Sequence, residues 1–416
     1  MKKALICTVL SLLITVQAWA QENQFPVAAY SGPELEKIQN WESQWAGKKI
    51  DKSNIDQVSE YVPATLVKLY KDQGSWQAPN DGFYFTVTPY KRVVETQGMI
   101  AATRKNAPLV KLNDRGLIEN YDDFAGMPFP NPKNGAEIAW NYDFNTRGDS
   151  SQYRRYTPTI EVKLHAERPQ DADCWELFFA HRVDADPKPR ISDNPKGIHW
   201  AGFYHMYKPN EYANTRRFNL RYLDPTKTDD QWMYNSSTRR LSRISAAQRA
   251  DYVEGSIVIY DDEFCWNGQI SSNNYTLTGT RELLCPRHTD ITKLERQDGQ
   301  TLFNNLGRER IKTLVVDVTS KDKNYVYGKR VWYVDPETYI ILATEIYNRK
   351  GQLWKYIEQF TQDMKTDQGE MKNYVVGCHV IDLERVWAAV STQTVRGVGT
   401  QVDPAMFSTG NLQKAY

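Results

Sequence analysis

Arg330-Val331-Trp332-Tyr333-Val334, Asp335-Pro336-Glu337-Thr338, Tyr339-Ile340-Ile341-Leu342-Ala343-Thr344-Glu345-Ile346-Tyr347, Asn348-Arg349-Lys350-Gly351 and Gln352-Leu353-Trp354 follow one another without a gap. Runs of β-branched and aromatic residues alternate with clusters of Asp, Pro, Asn and Gly, and that pattern predicts an antiparallel meander over residues 330–360. Tyr339–Tyr347 is apolar on both faces for most of its length. This suits a central strand covered on one side and facing a cavity or core on the other.

Working outward, residues 313–318 repeat the device, with Leu314, Val316 and Val318 on one side of a strand. Residues 83–88 do so again, placing Phe83, Phe85 and Val87 opposite Tyr84, Thr86 and Thr88. Before residue 82 the period is helical. One helix is predicted from Pro33 to Lys48 and a second from the cap Asn54 toward Tyr70, interrupted by Pro63, with Val58, Val62, Leu66 and Leu69 along one face. Residues 184–195, rich in Asp, Pro and Lys, read as a loop. With no internal repeat and no sharp change of composition, residues 21–416 are expected to form a single domain, helical over about 31–72 and β-rich thereafter. The fold class is mainly β (α+β): one large antiparallel sheet with N-terminal helices laid on it.

Residues 1–20 read as a secretory signal peptide: Lys2 and Lys3, an apolar run from Ala4 to Val16, then Ala18-Trp19-Ala20. The run is shorter than the ~20 residues that span a bilayer, and Cys7 precedes the position of a lipidation cysteine. The expected location is the periplasm of a Gram-negative cell, as a soluble chain. Removing Lys2 and Lys3 takes the formal charge from +1 to −1, so no nucleic acid or other polyanion is implied as a partner. Of the remaining thiols, Cys265 and Cys285 flank what reads as a hairpin tipped by Ser271-Ser272-Asn273-Asn274, and are the first pair to expect in a disulfide; free buried thiols are the alternative. No Cys-x-x-Cys spacing occurs, and Gly-x-Ser-x-Gly, His-Glu-x-x-His, phosphate-loop and dinucleotide signatures are missing, so no catalytic residue, metal or cofactor is implied.

The adjacent acids Asp122-Asp123 and Asp261-Asp262 read as solvated pairs. His199 and His205, about 20 Å apart along a strand, read as structural or surface residues rather than as ligands of one metal ion. Arg239, Arg240 and Arg243 form the densest basic cluster with Arg249, either a docking patch for an anionic partner or part of an internal Arg–Asp network.

Tyr121-Asp122-Asp123-Phe124-Ala125-Gly126-Met127-Pro128-Phe129-Pro130 and Ala139-Trp140-Asn141, then Trp232-Met233-Tyr234 with Thr238-Arg239-Arg240-Leu241-Ser242-Arg243, then Trp332–Thr338 and Gly351–Trp354, resemble in order a proteobacterial secreted family of unknown function. Its members are often labelled outer-membrane lipoprotein-sorting proteins. Met127 stands where the family usually has Leu, and Asn235–Thr238 where a Pro-Gly pair is common. The resemblance implies a fold similar to the LolA/LolB carriers: a curved antiparallel sheet, an incompletely closed barrel, with helices on its concave side. It also implies an inner-membrane transporter of the resistance-nodulation-division type and an outer-membrane protein as partners.

The resulting expectation is a lipid-binding carrier rather than an enzyme. Phe83, Phe85, Leu314, Val316, Ile340, Leu342 and Trp354 would line an apolar cavity, lidded by the helix bearing Leu66 and Leu69. A non-enzymatic adaptor bridging transporter and outer membrane is the alternative, and a secreted hydrolase the third reading. The signal reading has a direct check: N-terminal sequencing of protein from an osmotic-shock fraction is expected to begin at Gln21, and recovery solely with detergent-extracted membranes would contradict it.

Overall fold

The meander is present, and the turns between its strands differ in kind. In the computed structural model, which describes residues 25, 27–145, 147–253 and 256–414, residues 348–351 turn at the surface around Gly351, whose φ is 77°. Asp335, Glu337 and Thr338, equally polar in sequence, are buried. There Arg287 pairs with Asp335 at 3.3 Å and with Glu337 at 2.6 Å. Glu337 also accepts hydrogen bonds from the Ala29 and Val93 N–H groups, both at 2.9 Å, and from the Tyr90 hydroxyl at 2.5 Å. This turn thus also fastens the N-terminal segment to the sheet. The signal peptide lies outside the described residues.

The first half of the chain carries α1 (Pro33–Trp45), β1 (Lys49–Ile50), α2 (Ala64–Lys71), β2 (Phe85–Val87), α3 (Gln97–Asn106), α4 (Gly135–Phe144), β3 (Ser150–Glu161), β4 (Ala166–Phe178) and β5 (Ile198–Lys208). The second carries β6 (Arg216–Tyr222), β7 (Asp230–Asn235), β8 (Arg240–Ile244), β9 (Asn273–Cys285), β10 (Leu306–Ser320), β11 (Lys329–Val334), β12 (Ile341–Tyr347), β13 (Leu353–Lys365), β14 (Met371–Asp382), β15 (Trp387–Val398) and α5 (Thr409–Gln413). Pro63 separates a short 3₁₀ segment, Ile55–Tyr61, from α2, as its fixed φ and missing N–H require. Helices α3 and α4, unforeseen in the sequence, are capped by Thr96 and Asn134, which accept from the Met99 and Glu137 N–H groups. The turn before Met127 needs a glycine: Gly126 has φ 86°, and a Cβ there would collide with the backbone of Thr103. Residues 184–195 form a loop, as expected.

Among the described residues all fifteen strands join one sheet, ordered β1-β2-β10-β11-β12-β13-β14-β15-β3-β4-β5-β6-β7-β8, with β9 also on β10. The pairings are antiparallel except β2 with β10. Its two ends, β1 and β8, do not meet, so the sheet is open rather than a barrel. Among the described residues no helix is long and apolar enough to cross a membrane.

The two faces of the middle strands bury different clusters. Tyr333, Leu342, Ala343, Tyr356, Phe360, Ile381 and Val390 pack with Val58, Leu66, Leu69, Phe83 and Phe85 on what we call the outer face. Trp332, Val334, Ile341, Ile357, Val380 and Ala389 pack with Trp140, Phe144, Ile257 and Cys265 on the inner face. A bulge in β12 pairs Tyr333 with Ala343 but Val334 with Ile341, leaving Leu342 as the extra residue. Leu342 and Ala343 therefore join the same cluster while Ile341 faces the other way. Further along the sheet, Phe179, Phe203, Phe218 and Leu220 pack under Phe407 and Leu412 of the C-terminal segment.

Leu342 sits at 0 % exposure inside the outer core. Leu342→Ala is expected to cost ~2–5 kcal/mol in urea unfolding, the range for truncating a packed core leucine, and Leu342→Glu to abolish folding. A folded Leu342→Glu variant of near wild-type stability would contradict this packing.

Candidate ligand-binding site

On the inner face the sheet is plugged by the chain between Ser256 and Asn267. Its Tyr260–Cys265 stretch is two 3₁₀ turns joined by a kink, with Phe264 and Cys265 at φ 53° and 64°. The Asn267 N–H closes the turn on the Asp261 carbonyl at 3.0 Å. This kink turns three successive acids in different directions, and each meets cations from a different part of the molecule.

Asp261 accepts from Arg249 at 2.8 Å and from the Tyr325 hydroxyl at 2.9 Å. Arg249 also pairs with Asp229, which Arg221 holds from its other side at 2.8 Å. Asp262 accepts from Arg330 of β11 at 2.8 Å, from the Tyr327 hydroxyl at 2.9 Å and from its own Ile259 N–H at 3.0 Å, with the Lys355 ammonium of β13 at 3.6 Å. Glu263 takes Arg155 of β3 at 3.3 Å and Arg217 of β6 at 3.4 Å on one oxygen. Its other oxygen accepts from Tyr204 and Asn267.

Burial alone would raise the carboxyl pKa of Asp262 and Glu263, but the facing cations outweigh it and hold both below the usual carboxylate range. Lys355 is pushed down by burial, against the pull of Asp262, and its ammonium donates to the Ile257 carbonyl at 2.7 Å and to Tyr327 at 2.9 Å.

These contacts also fix the sheet's shape. Arg330 and Arg217 stand on strands eight places apart in the sheet order, which is roughly 38 Å across a flat sheet. The carboxylates they grip belong to adjacent residues, so the sheet must curl around the plug.

Between the plug and β13, β14, β15, β3 and β4 lies a cavity of about 690 Å³, part of it open to solvent. Val258, Ile357, Val380 and Ala389 make an apolar wall, and Arg155, Gln359 and Gln393 interrupt it. Arg155 and Gln170 also border a second hollow of about 470 Å³ with Tyr204, Met206 and Met233. With the plug in place the space that a molecule could occupy is about 70 Å³ in the first hollow and about 20 Å³ in the second, room for a few waters, and the lining is amphipathic.

None of the seven residues expected to line an apolar cavity borders this one. Phe83, Phe85, Ile340 and Leu342 belong to the outer core; Val316 is in the inner core, against which Leu314 and Trp354 pack half-buried. Ile340 touches a smaller hollow of about 340 Å³ beside Phe264. Alternation reported burial correctly but carries no information on whether the buried space is filled. The Leu66–Leu69 helix is on the outer face, and the plug takes the place of the expected lid.

The thiol expectation is likewise corrected. Cys265 and Cys285 are both free and lie in clusters on opposite faces, and Ser271–Asn274 leads into β9 instead of capping a hairpin. Asp261 and Asp262, expected in solvent, are buried. Arg239 and Arg240 are exposed at the edge strand β8, Arg243 pairs with Asp230, and Arg249 is drawn into the plug network. His199 is buried beside Tyr121, 3.2 Å from its hydroxyl, whereas His205 lies near Asn214. The missed residues are Arg155, Arg217, Glu263, Arg330 and Lys355. The available signal was the occurrence of basic residues inside otherwise apolar or aromatic strands, opposite an uncommon Asp-Asp-Glu run.

Fold and site together define an open-sheet protein with a plugged, amphipathic interior. Residues 49–413 match the family described as protein of unknown function DUF1329, and the chain belongs to it. An uncharacterized protein of Pseudomonas aeruginosa is 23% identical over 327 residues, which cover 74% of this chain and 68% of that protein. Among solved structures, a DUF1329 family protein from Desulfovibrio piger is similar with a TM-score of 0.49 at 17% identity, covering 67% of this chain and 98% of that one. A putative outer membrane lipoprotein-sorting protein domain from Vibrio parahaemolyticus has a TM-score of 0.47 at 18% identity, with coverage of 67% and 98%.

Asp262→Asn leaves Arg330 and Lys355 buried without their counter-charge, and is expected to cost ~3–5 kcal/mol at pH 7 in chemical denaturation. Because the folded-state pKa of Asp262 is lowered, its contribution is complete above about 3.9, the unfolded value, and is lost as pH falls through the folded value. The gap between wild type and variant should therefore persist from pH 7 to 5. A gap that closes within that window would contradict the pairing.

Proposed function

We propose that this protein is a periplasmic binder and carrier of a lipid-like molecule, held on the inner face of the sheet beneath the plug. The observation that carries the reading is the combination of a partly apolar cavity with a cover fixed by side-chain ion pairs. The Ser256–Asn267 segment contributes no strand to the sheet order, so it can leave without unpairing a strand. The closed hollow is too small for a tail, so the plug moves to admit one; burying an acyl chain there then returns roughly 0.8 kcal/mol per methylene. No bond is made or broken in this account, which is that of a carrier and not of an enzyme. The amino-terminal signal supports export to the periplasm.

In the same reading the cargo passes between an inner-membrane transporter of the resistance-nodulation-division type and an outer-membrane protein. Exposed Arg239 and Arg240 on the edge strand β8 would meet an acidic surface on one of them. Those arginines equally favour a second reading, an adaptor that bridges the two membranes and holds no cargo.

Native mass spectrometry of the chain purified from a periplasmic extract separates the two. A lipid-mass adduct at one per chain is expected. Adduct-free protein that also fails to bind a fluorescent fatty-acid probe would overturn the carrier reading in favour of the adaptor.

A further inference from the structure

We infer that the cargo is an amphiphile with an anionic headgroup, and that Glu263 occupies the headgroup's place when the site is empty. The inference rests on the carrier reading and adds the chemistry of the ligand. Arg155 is the one cation on the cavity wall among the described residues. Its side chain keeps 22% exposure while Glu263, its ion-pair partner, keeps 4%. Arg155 stands where the apolar wall of β13–β15 ends and the second hollow, bordered also by Arg217 and Gln170, begins, so a tail laid along Val380 and Ala389 would bring its head to this guanidinium.

Two guanidinium groups already converge there on a single carboxylate oxygen, at 3.3 and 3.4 Å, distances longer than a well-made charge-assisted bond. The arrangement is that of an anion site filled by a side chain of the protein's own plug. Asp262, the other acid on the wall, is held more tightly: Arg330, Tyr327 and the Ile259 N–H reach its oxygens at 2.8–3.0 Å, whereas the four contacts of Glu263 are all 3.3–3.4 Å. A carboxylate or phosphate on the cargo would replace Glu263 between Arg155 and Arg217, which border the same hollow, and the freed Glu263 would swing out with the kinked Phe264–Cys265 turn. Binding and loosening of the plug would then be one event, with the cargo's anion taking the place of Glu263 for both arginines.

The test compares a dansyl-labelled undecanoate with its methyl ester, which share tail and fluorophore and differ in charge. On the full chain the acid is expected to bind about tenfold tighter than the ester, the size of one charged hydrogen-bonded contact. Arg155→Gln should bring the acid down to the ester and leave the ester unchanged, while Glu263→Gln should tighten the acid further by removing its competitor. Equal binding of acid and ester by the wild type would overturn the headgroup inference and leave the carrier reading standing. Binding of neither probe would overturn the carrier reading itself. Weaker acid binding by a folded Glu263→Gln variant would overturn the exchange. Should that variant not fold, Arg155→Gln, which leaves Glu263 with Arg217, decides the headgroup through the acid-to-ester ratio alone.

Discussion

Two neighbouring carboxylates, Asp262 and Glu263, are gripped by cations that the sheet order places eight strands apart. Everything on the inner face depends on that constraint. It sets the curl of the sheet, creates the hollow beside the plug and decides which side chains face it. Ion pairs buried this way add little net stability compared with apolar packing, but losing one partner is costly, so they specify an arrangement more than they strengthen it. A cover held by such contacts is closed in one defined position and can still be exchanged for another anion.

Apolar packing covers both faces of the middle strands. The outer face packs Leu342, Tyr356, Phe360 and Ile381 against Leu66, Leu69, Phe83 and Phe85. Even there one ion cluster is built in: Arg308 binds Glu358 at 2.6 and 2.9 Å, and His379 adds a third contact at 2.8 Å. Burial works against Glu358's charge, yet Arg308 and His379 bring its pKa down to about 2. The sheet is therefore supported from its outer face along β10–β15, and the C-terminal segment does the same for β4–β7. The inner face adds its own cluster around Trp140, Phe144 and Trp332, and beside it carries polar side chains and a cavity.

How far the sequence discloses this follows from the range of each signal. Strand alternation and turn chemistry are local, and the meander, the β10 strand and the early helices were legible from them. So was the break at Pro63. Helix α4 was not, because Ile138, Ala139, Trp140, Asn141 and Phe144 are all buried and leave it without the one-sided pattern that marks a surface helix. The pairing of β15 with β3, and of β2 with β10, joins segments hundreds of residues apart and has no local trace. The burial of the 335–338 turn was not legible, and the Asp261-Asp262 pair was read as solvated, for a common reason. Acidic clusters usually face water, and the arginines that bury these two lie far away in the chain. The site residues were missed because alternation tells inside from outside, while a cavity is a property of how the insides meet.

The central claim is that the plug is a separate cooperative unit, closed by side-chain contacts on a sheet that stays intact without it. Amide hydrogen exchange on the ligand-free chain tests it most directly, by comparing plug amides such as the Asn267 N–H with amides in the middle of β13 and β14. The account predicts that the plug exchanges through an opening of lower free energy than global unfolding, while the strands exchange only with the whole domain. One common protection level for plug and strands would mean that the plug leaves only when the sheet unfolds, and would contradict the account.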